Sequence, residues 1–240
     1  MTKTVLISGG TKGIGKATVL ELLDQGYKVI TFSRDQKRVE DLIVELSNKY
    51  KTDQYLVLSC DVTDEQSIKS MIAEISSQFK KIDILINNAG IGYFRDCDQL
   101  DMVKFQAMIQ TNIIGVALLT KYVVPIMKNN QSGLIVNIAS ISGKVAFANG
   151  EFYSATKFGV MGYSQAIRAE LATFKIKVST ICPGMIKTDF FDAEELERRK
   201  KIWNGNTPQM LDVTDVVKVI SLICAQSEHC DIQDMTLMPF

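Results

Sequence analysis

Seven short apolar runs rich in β-branched residues alternate with segments of helical period, and this alternation constrains the chain more than any other feature. The runs fall at residues 4–8, 28–32, 55–60, 82–87, 134–139, 177–182 and 235–238. Between them, residues 13–25, 36–50, 64–79, 103–128, 153–174 and 213–226 space their apolar positions along one helical face. Strands that are apolar on both faces, and separated by helix-length connections, predict a parallel sheet covered by helices on both sides. The expected fold class is α/β and doubly wound, with about seven strands in a single domain spanning residues 1–240. The stretch TDEQ at 63–66 has capping-box spacing and marks the start of one helix. No internal repeat or Pro/Gly-rich linker interrupts the pattern.

Composition excludes several function classes. Lys+Arg and Asp+Glu are equal at 27 each, so the chain lacks the basic field of a nucleic-acid or anionic-membrane binder. The apolar run near the N-terminus is shorter than a signal peptide requires, and no segment is expected to cross a membrane. Cys60, Cys97, Cys182, Cys224 and Cys230 are scattered without CxxC spacing, which suits reduced thiols in the cytoplasm. The single histidine, His229, makes a histidine metal site or a Ser-His-Asp triad improbable, and no metal is expected. Charge clusters only in EELERRKK at 194–201, which reads as a solvated helix face bordered by Phe190, Phe191 and Trp203.

The first strand runs straight into SGGTKGIGKAT. Glycines between a strand and a helix allow the backbone to approach a diphosphate held at the helix N-terminus. The segment nearly matches a Walker loop, but Ala17 stands where a magnesium-binding Ser or Thr is required, and the run 82–86 ends in Asn87-Asn88 rather than an Asp. The glycines Gly9, Gly13 and Gly15 instead have Gly-xxx-Gly-x-Gly spacing, a longer turn than the common dinucleotide motif.

Further on, Tyr153 and Lys157 stand four residues apart and share a helix face. A cation about 5 Å from the phenol, at an effective dielectric near 20, is worth roughly 3 kcal/mol, or about two pKa units. That shift is expected to bring the phenol toward the range of a general acid–base. Ser140 ends the strand at 134–139, at the edge where α/β sheets hold their ligands.

SGGTKGIG, CDV at 60–62, NNAG at 87–90, Asn112 in TNIIG, Ser140 in NIAS, YSATK at 153–157 and PGMIKT at 183–188 occur in that order. Together they resemble the short-chain dehydrogenase/reductase family over residues 4–190. The resemblance implies a Rossmann-type fold and a nicotinamide-dependent oxidoreductase. It implies that Ser140 binds the substrate carbonyl, Tyr153 delivers the proton, Lys157 also holds the nicotinamide ribose, and Asn112 anchors a water-linked proton path. Thr11, Lys12 and Ile14 accompany the three glycines in the cofactor loop. The resemblance further implies that Asp61 and Val62 meet the adenine, that Asn88, Ala89 and Gly90 pass under the adenosine ribose, and that Pro183, Gly184, Ile186 and Thr188 lie near the nicotinamide carboxamide. The acid of NAD-type relatives is replaced by Ser33, followed by Arg34; with Lys12, these favour NADP over NAD through charge-assisted bonds to a 2′-phosphate. Asp35 reads as the cap of the next helix.

The same resemblance puts Tyr93, Phe147, Phe190, Phe191 and Trp203 in the substrate pocket, with residues 186–205 forming a lid. The expected activity is reduction of a ketone or aldehyde small molecule, or the reverse. A 3-oxoacyl-[acyl-carrier-protein] reductase, drawing on a basic patch from Arg198, Arg199, Lys200 and Lys201, and a non-catalytic NADP-binding sensor are the alternatives. The chain lacks the DGG ending common in the carrier-protein reductases, closing instead on DMTLMPF. Two long helices, 103–128 and 153–174, are expected to pair copies into a homodimer or homotetramer.

Overall fold

A computed structural model describes residues 2–79, 81–191, 193–202 and 208–240. The seven apolar runs become seven strands: β1 (Thr4–Ser8), β2 (Lys28–Ser33), β3 (Tyr55–Ser59), β4 (Ile84–Asn87), β5 (Gly133–Ile138), β6 (Ile176–Pro183) and β7 (Asp234–Leu237). All pair in parallel, in the order β3-β2-β1-β4-β5-β6-β7. The connecting helices are α1 (Gly13–Asp24), α2 (Gln36–Ser47), α3 (Glu65–Gln78), α4 (Met102–Ile109), α5 (Gly115–Asn130), α6 (Glu151–Leu171), α7 (Ala193–Ile202) and α8 (Val213–Cys224).

Each strand alternates its side chains between two layers. In β1, Val5 and Ile7 pack with Val19 and Leu22 of α1, Val39 and Leu42 of α2, and Val216 and Ile220 of α8. Leu6 faces the other way, into a layer with Ile68 of α3, Leu119 and Val123 of α5, and Leu171 of α6. Burial on both faces explains why the strands read as continuous apolar runs.

Local capping sets the helix starts. Asp35 caps α2 by accepting from the Arg38 N–H at 3.2 Å, as expected. The α3 cap is Asp64, not Thr63: Asp64 accepts from the Gln66 N–H at 3.0 Å, while Thr63 gives its own N–H and hydroxyl to Asp61. The short carboxylate of Asp64 reaches the first-turn donor directly, so the cap falls one residue later than expected.

The expected helix at 103–128 is continuous from Met102 to Asn130 but widens into a π-helical turn at Gln110–Ile114. By length and composition alone this helix is long and apolar enough to cross a membrane, a weak sign that the core helix of a globular protein also gives. Here Leu119, Val123 and Met127 face the core of the sheet layer.

A buried polar chain ties α6 to the sheet. Asn87 on β4 donates to Thr120 (3.2 Å) and to Asn137 (2.8 Å) on β5, and Asn137 donates to Ser164 on α6 at 2.8 Å. Such bonds are directional, so they fix the depth and rotation of α6 more sharply than apolar packing does. The winding direction of the sheet reverses between β1 and β4, which opens a crevice at the carboxyl ends of those strands.

Candidate active site

A cavity of about 680 Å³ runs along that edge. At one end, Gly9, Thr11, Lys12, Gly13 and Ile14 line it. Gly13 has φ +54, a left-handed conformation that side chains disfavour. Gly15 does not line the cavity; a Cβ there would sit 2.3 Å from the Gly9 carbonyl oxygen and 2.5 Å from Asn88 Nδ2. It therefore lets α1 begin against the loop. No side chain caps α1, so its first amides and positive end suit a diphosphate.

Asn88 holds this cradle. Its Nδ2 donates to the carbonyls of Ser8 (3.0 Å) and Gly9 (3.1 Å), while Ser8 Oγ accepts from the N–H groups of Asn88 and Ala89 at 3.0 Å each. These bonds lock β1 to β4 across the crevice. Asn88, Ala89 and Gly90 line the middle of the cavity, and Pro183, Gly184, Ile186 and Thr188 its far wall.

Ser33 and Arg34 stand at the carboxyl end of β2, with Asp61 and Val62 beside them after β3. Arg34 is 3.9 Å from Asp61, too far for a tight pair, and is mostly exposed. Sequence reading missed Arg38, which also lines the cavity and lies 3.2 Å from Asp35. Its only signal was its place in the first turn of the helix that Asp35 caps, close after Arg34. A hydroxyl and two guanidiniums at this end, with Lys12 in the loop, fit a 2′-phosphate: the cations supply the charge that a free ribose would not require.

Beyond the loop, the cavity is lined by Ser140, Tyr153 and Lys157. Asn112 does not line it. The π-helical turn aims Asn112 at the loop after β4, where its Oδ1 accepts from the Ile91 N–H (2.9 Å). Its Nδ2 donates to the Ile91 carbonyl (2.9 Å) and Thr156 Oγ1 (3.1 Å). Asn112 thereby fastens that loop to α6, the helix of Tyr153 and Lys157.

Tyr153 and Lys157 do share a face, with the ammonium 5.7 Å from the phenol ring centre. The expected lowering of the phenol pKa is not what the site produces. Burial pushes Tyr153 up to about 12, against a weaker downward pull from a hydrogen bond with Ser140. The same burial brings the Lys157 ammonium down to about 8. Lys157 Nζ donates to the Ile138 carbonyl at 3.0 Å. Desolvation, which a surface dielectric leaves out, disfavours the charged form of both groups and sets both directions.

Aromatic rings close the other end. Phe94 lies 5.1 Å from the Tyr153 ring, Phe190 lies 5.9 Å from it, and Phe147 and Phe191 flank Phe94 at 6.1 and 5.4 Å. Tyr93 does not line the cavity; its ring takes Lys104 at 4.4 Å and Arg95 at 4.9 Å instead. Tyr93 packs on the outside of the cluster that Phe94 forms with Met108 and Tyr153. Trp203 lies outside the described residues.

The solvated face expected for EELERRKK is half correct. Glu195 and Arg199 are buried at 5% and 8% exposure, and Arg199 lines the cavity. Its guanidinium carbon sits 4.5 Å from the Phe94 ring centre and 4.4 Å from that of Phe191. Glu195 accepts from Arg199 (2.7 Å), Arg198 (2.9 Å) and Arg95 (3.2 Å), and Arg95 also bonds Glu194.

The sequence signature described as short chain dehydrogenase matches residues 3–199. The chain belongs to the short chain dehydrogenase family. An NADP-dependent 3-hydroxy acid dehydrogenase from Schizosaccharomyces pombe is 31% identical over 243 residues, covering 99% of this chain and 92% of the relative. A 3-oxoacyl-[acyl-carrier-protein] reductase from Staphylococcus aureus is 32% identical over 203 residues, covering 84% of this chain and 82% of the relative. Among solved structures, the closed form of serine dehydrogenase complexed with NADP+ superposes with a TM-score of 0.89 at 29% identity, covering 98% of this chain and 94% of that one. This short chain dehydrogenase is an NADP-dependent enzyme, and NADP(H) is its cofactor.

Proposed function

We propose that this short chain dehydrogenase reduces a ketone or aldehyde to an alcohol, or runs the reverse, with Tyr153 as general acid–base. One observation carries the reading: Ser140, Tyr153 and Lys157 line the same cavity as the uncapped, glycine-walled start of α1.

NADPH, when bound, supplies the hydride that reaches the carbonyl carbon. Gly9, Thr11, Lys12, Gly13 and Ile14 would hold its diphosphate, Ser33, Arg34 and Arg38 its 2′-phosphate, and Asp61 with Val62 its adenine. The Ser140 hydroxyl donates to the substrate oxygen and fixes it beside the phenol. Tyr153 gives its proton to that oxygen as the C=O double bond opens, and the resulting phenolate regains a proton from solvent. A phenol whose pKa is about 12 stays protonated at neutral pH, the form that reduction requires. Lys157 stabilises the developing phenolate and anchors the ribose. Asn112 is a positioning residue, keeping the loop after β4 against α6.

The carrier-protein reductase reading has less support. Arg199 is buried in the cavity wall, Arg198 is bound to Glu195 and Lys200 to Glu197 at 2.6 Å, so these cations do not form the exposed basic patch at the pocket mouth that it needs. A non-catalytic sensor would have no use for Tyr153 and Lys157 together. In this reading the described part of the 186–205 segment, residues 186–191 and 193–202, serves as a lid over the pocket, on one domain, and residues 192 and 203–205 lie outside the described residues. The groove between α5 and α6, lined by Val124, Pro125 and Ile167, suits self-association through those helices. The free state of the five cysteines suits the cytoplasm. NADPH oxidation measured over a panel of ketones, aldehydes and acyl thioesters tests the proposal. Turnover confined to thioesters would replace it with the carrier-protein reading, and none with any carbonyl would favour the sensor.

A further inference from the structure

Burying an arginine is costly, and a lid helix could close an aromatic pocket more cheaply with a leucine or methionine. The chain nevertheless places Arg199 in the wall of the cavity that holds Ser140 and Tyr153. Contacts of 4.5 and 5.1 Å connect the guanidinium, through the Phe94 ring, to the ring of Tyr153.

We propose that Arg199 selects carbonyl substrates bearing a carboxylate, so that the reacting C=O lies at Ser140 and Tyr153 while the substrate anion meets the guanidinium. This rests on the reading of Tyr153 as the acid and deepens it by naming the substrate class. Three features build the site. The rings of Phe94 and Phe191 pack on the guanidinium, whose planar fork matches a carboxylate. Glu195 grips the same fork through Nε at 2.7 Å and is itself held by Arg95 and Arg198, so the cation is anchored rather than free to swing. The surrounding rings exclude water, which strengthens a charge-assisted bond made there. A substrate carboxylate shares the guanidinium with Glu195 or displaces it. Asp189 also lines the cavity; its carboxylate repels an anion, so the substrate's anionic end is confined to the guanidinium.

The test pairs acids with their neutral esters at two spacings: phenylglyoxylate with methyl phenylglyoxylate, and acetoacetate with methyl acetoacetate. For each, kcat/KM is measured by NADPH oxidation, and the melting temperature of the NADP+-loaded protein is measured with and without the compound. In the parent enzyme at least one acid is favoured over its ester about tenfold or more, and that acid raises the melting temperature while the ester does not. Arg199→Met lowers the acid-to-ester ratio roughly 10- to 100-fold and abolishes the acid-induced shift. Arg199→Lys keeps the cation but loses the fork, giving a smaller fall; it serves if the methionine variant no longer binds NADPH. An equal loss for acid and ester, an unchanged ratio, or an acid that neither binds nor reacts overturns the proposal. Failure of the acid–base reading is separate: it shows as turnover surviving Tyr153→Phe, whatever the ratio.

Discussion

Replacing Lys157 with methionine should stabilise the ligand-free enzyme while ending its activity. The ammonium is 6% exposed, and burial brings its pKa from 10.5 to about 8. At 1.36 kcal/mol per unit, holding the proton in the folded state costs about 3 kcal/mol relative to the unfolded chain. Methionine has a similar stem and no charge. It forfeits the 3.0 Å bond to the Ile138 carbonyl, worth about 1 kcal/mol, leaving a net gain of about 2 kcal/mol at pH 7. For a chain of this size that is about 4–8 °C in Tm. The gain depends on pH with a definite sign. Between about pH 8 and 10.5 the folded lysine has lost its proton while the unfolded one keeps it, so the parent protein gains stability as pH rises through this window. The advantage of Lys157→Met should therefore shrink to near zero by about pH 9.5. Urea titrations of both proteins at pH 7 and about pH 9.5, without cofactor, provide the measurement. A methionine variant less stable than the parent at pH 7, or an advantage that does not change with pH, would refute the assignment of a strained, buried ammonium.

Other expectations concern the cradle, the cofactor and the scaffold. Gly15→Ala forces a methyl group to within 2.3 Å of the Gly9 carbonyl, so NADPH affinity should fall at least about tenfold, read by fluorescence titration. Arg34→Asp should weaken NADPH by about 10- to 100-fold and NADH far less, with Arg38→Ala showing a smaller effect of the same kind; equal use of both cofactors by the parent would remove the basis for this assignment. Asn137→Val leaves Asn87 and Ser164 without their buried partner and should cost about 1–3 kcal/mol in urea denaturation. Because the Tyr153 pKa is raised to about 12, alcohol oxidation, which needs the phenolate, should quicken with pH across the alkaline range while reduction does not.

What could be read in advance divides along a physical line. Strand positions were legible because residues such as Leu6 and Ile7 are buried on opposite faces of one sheet, leaving apolar runs without gaps. Asp35 was legible as a cap because capping is a matter of three residues. The π-helical turn at Gln110–Ile114 was not, since it lies in backbone geometry and leaves the helical period almost intact. The Tyr153–Lys157 spacing was visible, but the direction of the phenol shift was not. That direction depends on burial by Phe94 and Phe190, which are distant in sequence. Arg199 and Glu195 lay hidden in a charged run for the same reason. Their burial comes from Arg95 and Phe94, about a hundred residues earlier, and no local periodicity records such a contact.

The central claim is that one phenol supplies the proton. Tyr153→Phe removes a single oxygen from a ring already fixed by Phe94 and Phe190, so the cavity keeps its shape. Measured with a carbonyl that the parent enzyme reduces, the variant should bind NADPH with unchanged affinity and lose at least about a thousandfold in kcat, the upper part of the range for general acid catalysis. Turnover within tenfold of the parent, with NADPH bound normally, would mean that the proton comes from another group.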